Sequence, residues 1–302
     1  MRRLLPLIAI CAAAMLAVSS PVQTQEAAAR PLNVVATFSI LADFVATVGG
    51  DRVNVTALAG PDSDTHVYTP TPADAKRIAD ARLVVLNGLG LEGWLPRLIK
   101  SSGSKAASVV ASKGITVLKA DDGHGHGEAD PHAWQSVANV KIYVANIRDA
   151  LAAADPAGAA AYRANAARYL DRLDALEREV REAVAAIPAQ RRRVISTHSA
   201  FGYFAAAYGI AFIAPQGVST DSEPSARDVA TIITQIKKEK IPAVFLENVS
   251  DPRLMRRIAA ETGAAIGGTL YSDSLTGEKG PAPTYIDMVR HNIKTLTRAL
   301  SS

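Results

Sequence analysis

The chain is nearly devoid of cysteine. One of its 302 residues is cysteine, Cys11, and it lies inside the apolar stretch Leu4–Val18. Beyond that stretch no disulfide can form and no thiolate can hold a metal, so any ion must be held by histidine, aspartate or glutamate. Aromatic residues are scarce, at 5%, and no basic stripe interleaves with them, which argues against nucleic acid as a partner. The net charge of +4 comes from interspersed acidic and basic residues and reads as a solvated surface. No later run approaches the roughly 20 apolar residues of a membrane span. Familiar catalytic signatures are also missing: there is no His-Glu-x-x-His, no phosphate-cradling Gly-Lys-Ser loop and no Gly-x-Ser-x-Gly elbow.

The N-terminus carries what a secretory signal needs. Arg2 and Arg3 precede the apolar run, and Ala27-Ala28-Ala29 offers a small-x-small cleavage site before Arg30. We therefore expect a signal peptide over 1–29, with an uncleaved anchor as the alternative. A lipid-attachment cysteine should follow a small residue near the end of the run. Cys11 instead follows Ile10 in its middle, so a soluble periplasmic protein is expected.

From residue 30 onward, short apolar runs alternate with helical patterns. Val34–Thr37, Val53–Leu58 and Leu83–Leu86 read as strands, with helices over Ile40–Val48 and Pro72–Ala81. Thr71 is the expected N-cap of the latter, with Pro72 in its first turn. A second set follows, with strands at Val194–Thr197, Ile210–Ala214, Ala243–Glu247 and Ala265–Leu270. Its helices fit Ser199–Tyr208, Ser225–Lys238, Pro252–Thr262 and Thr284–Leu300. Such alternation predicts an α/β fold built on parallel sheets. Residues 35–44 (Val-Ala-Thr-Phe-Ser-Ile-Leu-Ala-Asp-Phe) align with 195–204 (Ile-Ser-Thr-His-Ser-Ala-Phe-Gly-Tyr-Phe), which predicts two lobes of like architecture.

Between the two sets lies one long amphipathic pattern, from Asp155-Pro156 to just before Pro188. Tyr162, Ala166, Tyr169, Leu173, Leu176, Val180, Val184 and Ile187 recur in steps of three and four and so form one stripe. The expected organisation is an N-terminal lobe over 30–154, a spine helix over 155–188 and a C-terminal lobe over 189–302.

Six histidines could carry chemistry. His66, His132 and His198 each fall in a strand-exit or helix-entry loop, and Asp273 holds the matching place after Ala265–Leu270. In open parallel sheets, ligands bind at the carboxyl ends of strands. Three imidazoles and one carboxylate would fill four positions around a metal, a donor set suited to zinc; manganese usually asks for more oxygen. The bland alternative for each histidine is a surface or satisfied buried side chain. His124 and His126 sit in the Gly-rich acidic stretch Asp121–Asp130, which reads as a loop for transient metal capture or merely as a solvated loop. His291, mid-helix near Arg290 and Lys294, reads as a surface or structural residue. Glu223 and Glu247 lie near strand ends as partners of ligands or as capping acids, with capping favoured for Glu223.

Five segments together carry a family resemblance: Asp64–Asp74 (Asp-Thr-His-Val-Tyr-Thr-Pro-Thr-Pro-Ala-Asp), Asn87–Trp94, Asp130–Trp134 (Asp-Pro-His-Ala-Trp), Thr197–Phe204 and Leu270–Asp273. On these the chain resembles the metal-binding components of zinc and manganese ABC transporters. The resemblance implies two α/β lobes joined by one long helix, with His66, His132, His198 and Asp273 as metal ligands in the cleft. It implies a membrane permease of a metal importer as partner, and we expect a monomer. Manganese-preferring relatives often carry Glu at the place of His198, so the resemblance favours zinc, with manganese as the alternative. Release would require the permease to disturb a ligand, with Asp273 the first candidate. A zinc hydrolase and an adhesin or metal chaperone are the competing functions, although Asp273 would close the position a hydrolytic water needs.

Overall fold

The computed structural model describes residues 30–119 and 129–301. The expected signal segment and the stretch bearing His124 and His126 lie outside the described residues. Pro31–Ser302 form one compact unit, built on two four-stranded parallel sheets. The first contains β1 (Leu32–Phe38), β2 (Val53–Ala59), β3 (Leu83–Leu86) and β4 (Ala107–Val110) in the order β2-β1-β3-β4. The second contains β5 (Arg193–Ile195), β6 (Ala211–Ile213), β7 (Ala243–Glu247) and β8 (Ala265–Leu270) in the order β6-β5-β7-β8. Sheet order is thus the same in both halves, and the short alignment of 35–44 with 195–204 falls on equivalent strands.

Helices cover both faces of each sheet. In the first half these are α1 (Ser39–Gly49), α2 (Pro72–Asp80), α3 (Leu95–Ser102) and α4 (Val137–Ala154). The second half has α6 (Gly202–Tyr208), α7 (Ala226–Glu239), α8 (Arg253–Thr262) and α9 (Tyr285–Leu300). Strand side chains alternate between faces, so β1 supplies two cores. Val34, Ala36 and Phe38 join the central cluster, while Val35 joins a smaller one beneath α2 and α3. Strand β7 divides likewise: Ala243 and Phe245 face the central cluster and Val244 faces α7 and α8. Burial on both faces is why these strands read as continuous apolar runs.

The connecting helix α5 spans Ala159–Ala185, 27 residues, or about 40 Å. It begins four residues after Asp155, behind a 3₁₀ turn at Pro156–Gly158. Asp155 is occupied elsewhere, accepting from Arg52 at 3.0 and 2.8 Å and from the Tyr162 hydroxyl at 2.7 Å. The whole predicted stripe from Tyr162 to Val184 is buried. It packs on α1, α4 and α9, so one apolar cluster runs through both halves.

Local signals explain the element starts. Thr71 and Asp74 form a capping box at α2, with Pro72 in its first turn. Ser225 and Asp228 form another at α7. This corrects the expectation for Glu223: the cap is Ser225, and Glu223 instead lines a cavity between Asp64, Thr220 and Arg253.

Candidate metal centre

The carboxyl ends of both sheets meet at one place. His66 lies in the loop after β2, His132 in the segment between β4 and α4, His198 just after β5, and Asp273 just after β8. One donor atom from each lies within 4.8 Å of all the others. The Nε2 atoms of His66 and His132 are 3.2 Å apart, and those of His132 and His198 are 3.3 Å apart. Asp273 places Oδ2 at 3.4 Å from His66 Nε2 and 3.1 Å from His198 Nε2, with Oδ1 at 3.5 Å from His132 Nε2. Bonds of about 2.0–2.1 Å to a central ion would give a tetrahedron with edges of about 3.3–3.4 Å, close to these spacings.

Burial makes the arrangement costly without a cation. His132, His198 and Asp273 are all 0% exposed, and among the described residues neither oxygen of Asp273 has a hydrogen bond. Carboxylates stand behind two of the rings. Asp130 Oδ1 lies 2.8 Å from Nδ1 of His132 and also accepts its backbone N–H. Glu247 Oε2 lies 2.6 Å from Nδ1 of His198, while its Oε1 accepts the N–H groups of Thr197 and His198. A carboxylate at Nδ1 keeps the ring proton there and leaves a lone pair on Nε2. Two such lone pairs and a carboxylate facing one point repel until a positive charge sits between them.

The titration shifts express the same demand. Burial works against charge on His132, yet Asp273 and Asp130 outweigh it and raise its pKa. At His198, burial is again overcome, by Glu247 and Asp273, and the pKa is pushed well above its ordinary value. Burial would raise the carboxyl of Asp273, but His198 and His132 hold it well below the usual range. Protons and a divalent cation therefore compete for one negative cavity.

The segment around Asp273 is fixed from several sides. The Trp134 indole and the Gln135 amide donate to the Ser272 carbonyl at 2.8 and 2.7 Å. Asn292, on α9, bonds both the N–H and the carbonyl of Tyr271. Leu275 N–H donates to Ser39 Oγ at 3.0 Å. Asn87, just after β3, donates to the Pro131 carbonyl at 2.9 Å beside His132. His291 is remote and structural, with Nε2 3.1 Å from the Thr269 carbonyl.

A family model described as zinc-uptake complex component A, periplasmic, matches residues 34–299. The chain belongs to this family of periplasmic metal-binding proteins of ABC transporters. Family members differ in the metal they are named for. The iron-binding protein YfeA of Yersinia pestis is 36% identical over 285 residues, covering 94% of this chain and 90% of its own. The manganese-binding lipoprotein MntA of Halalkalibacterium halodurans is 36% identical over 270 residues, 89% of each chain. The solved structure of the periplasmic zinc-binding protein TroA from Treponema pallidum superposes with a TM-score of 0.85 at 31% identity, covering 90% of this chain and all of that one. The fold of two α/β halves joined by one long helix is thus shared with that structure.

Two groups that support the rings were not assigned a definite role from sequence. The sequence offers Glu247 two roles, ligand partner or capping acid, and gives Asp130 none of its own. Asp130 lies two residues from His132, and that spacing was the available signal. Glu247 lies 49 residues from His198, and only the paired strand ends β5 and β7 bring them together.

Proposed function

We propose that this chain is exported after loss of residues 1–29, captures one divalent transition metal and delivers it to the membrane permease of an ABC importer. His66, His132, His198 and Asp273 are the ligands in this reading, and zinc is the preferred cargo. The observation that carries it is the convergence of three Nε2 atoms on a buried carboxylate that has no hydrogen bond of its own. Binding is ligand exchange, in which imidazoles and carboxylate replace the metal's water shell. The protein acts as a monomeric carrier and not as an enzyme, because Asp273 occupies the position a hydrolytic water would need.

A second reading, manganese or iron as cargo, draws on one geometric detail. Both oxygens of Asp273 face imidazole nitrogens, so a bidentate carboxylate would add the extra oxygen that harder ions favour. The names of the relatives above support it as well.

The deciding experiment measures metal content and competitive affinity on the mature protein. One zinc per chain, retained against excess manganese, is expected; equal retention of manganese would overturn the zinc preference. Asp273→Ala and His198→Ala should each weaken binding by about a hundredfold or more, since each removes a ligand. Wild-type affinity in both would sink the ligand assignment.

A further inference from the structure

Three of the four donors are braced, and the fourth is held differently. Asp130 backs the His132 ring and Glu247 backs the His198 ring. Asp273 is flanked by anchored neighbours on both sides. His66 has no hydrogen bond from Nδ1 to any described residue and is the one donor not fully buried. Its placement depends on its backbone, whose N–H is held by Asp64, while Asp62 ties the start of the loop to the Leu275 carbonyl at 2.9 Å and to Asn248 at 3.1 Å.

Asp64 divides its two oxygens between two tasks. Oδ1 accepts the His66 backbone N–H at 2.9 Å, and Oδ2 accepts the Thr220 hydroxyl at 2.6 Å. Thr220 lies between β6 and α7, so this second bond crosses from the first half to the second. A cavity of about 450 Å³ adjoins the pair, lined in part by Thr197, Gln216, Glu223 and Arg253. Once the bond opens, water there can replace Thr220. The neighbouring anchor, from the Trp94 indole to the Thr65 carbonyl at 3.0 Å, stays within the first half and does not report closure.

We propose that Asp64 is the positioning residue for His66, and that its bond to Thr220 makes the placement of His66 depend on the two halves being closed on each other. The proposal rests on the metal-site reading above. It makes His66, in place of Asp273, the first ligand to let go. A partner that pulls the Thr220 loop away frees Asp64 to turn, and the His66 N–H loses its acceptor.

The test combines Thr220→Val, which keeps shape and removes the hydroxyl, with His66→Ala and the double variant. Zinc dissociation into a chelator should be about tenfold faster in Thr220→Val, the loss of one charge-assisted hydrogen bond. The double variant should release zinc no faster than His66→Ala alone. An unchanged rate in Thr220→Val overturns the proposal, and so does the same tenfold increase in the His66→Ala background, because a purely structural role would persist there. Hydrogen exchange over residues 62–68 in the metal-free protein gives a readout that does not need cargo. Faster exchange in Thr220→Val supports the coupling even if the wild type proves to bind no metal, and unchanged exchange refutes it.

Discussion

Asp43 sits half-buried on α1 and accepts the backbone N–H of Tyr285 at 2.9 Å, tying the first half to the start of α9. Burial raises its pKa from 3.8 to about 6, against the opposing pull of that N–H and of Arg172. A raised carboxyl pKa gives stability that is fully present below the unfolded value and is lost as pH climbs through the folded one. The fold should therefore lose about 2 kcal/mol between pH 4 and 6 through this group, allowing for its partial solvent contact. Asp43→Asn should remove that loss. Melting curves of both chelator-treated proteins across this range check it, and parallel curves would refute it. Chain position marks the candidate ligands only as loop residues, each following a strand or preceding a helix, and it is the family resemblance that singles out His66, His132, His198 and Asp273. Their supports were legible in neither. Trp134 and Gln135 reach Ser272 across more than 130 residues, and no spacing rule connects positions so far apart.

Helix α5 shows how far periodicity reaches at the scale of an element. Its buried stripe was readable residue by residue, because steps of three and four leave one face apolar. Its start was not, because Arg52, which draws Asp155 away from the helix, lies more than 100 residues outside the helical pattern. Strand β4 and helix α3 escaped the sequence reading for a related reason. The edge strand β4 is four residues long, with its apolar run interrupted at Ser108 and three of its residues exposed, and α3 is eight residues long with only Leu95 and Leu98 buried. Leu173 and Leu176 are fully buried in the middle of α5. Leu173→Ala should cost about 2–5 kcal/mol, the usual range for a core truncation, measured by denaturant unfolding. A cost below about 1 kcal/mol would mean that α5 is not part of the common core.

Across the whole molecule, the central apolar cluster takes in side chains from β1, α1, α4, α5, α9 and β7. Sharing one core, the two halves should melt in a single calorimetric transition, and two resolved transitions would contradict it. A metal bound only by the folded state adds about 4 kcal/mol at a free concentration a thousandfold above Kd. Removing it with a chelator should therefore lower the melting temperature by several degrees, and the drop should be much smaller in Asp273→Ala. The spacing of the ligands carries a kinetic consequence. His66, His132 and His198 are separated by 66 residues at each step, and Asp273 lies beyond them all. Contacts between such distant positions form late, after the chain between them has been ordered. Each sheet can assemble while the donors are still scattered, so a metal ion finds no pocket to nucleate on. Added metal should leave the refolding rate nearly unchanged and act almost wholly by slowing unfolding.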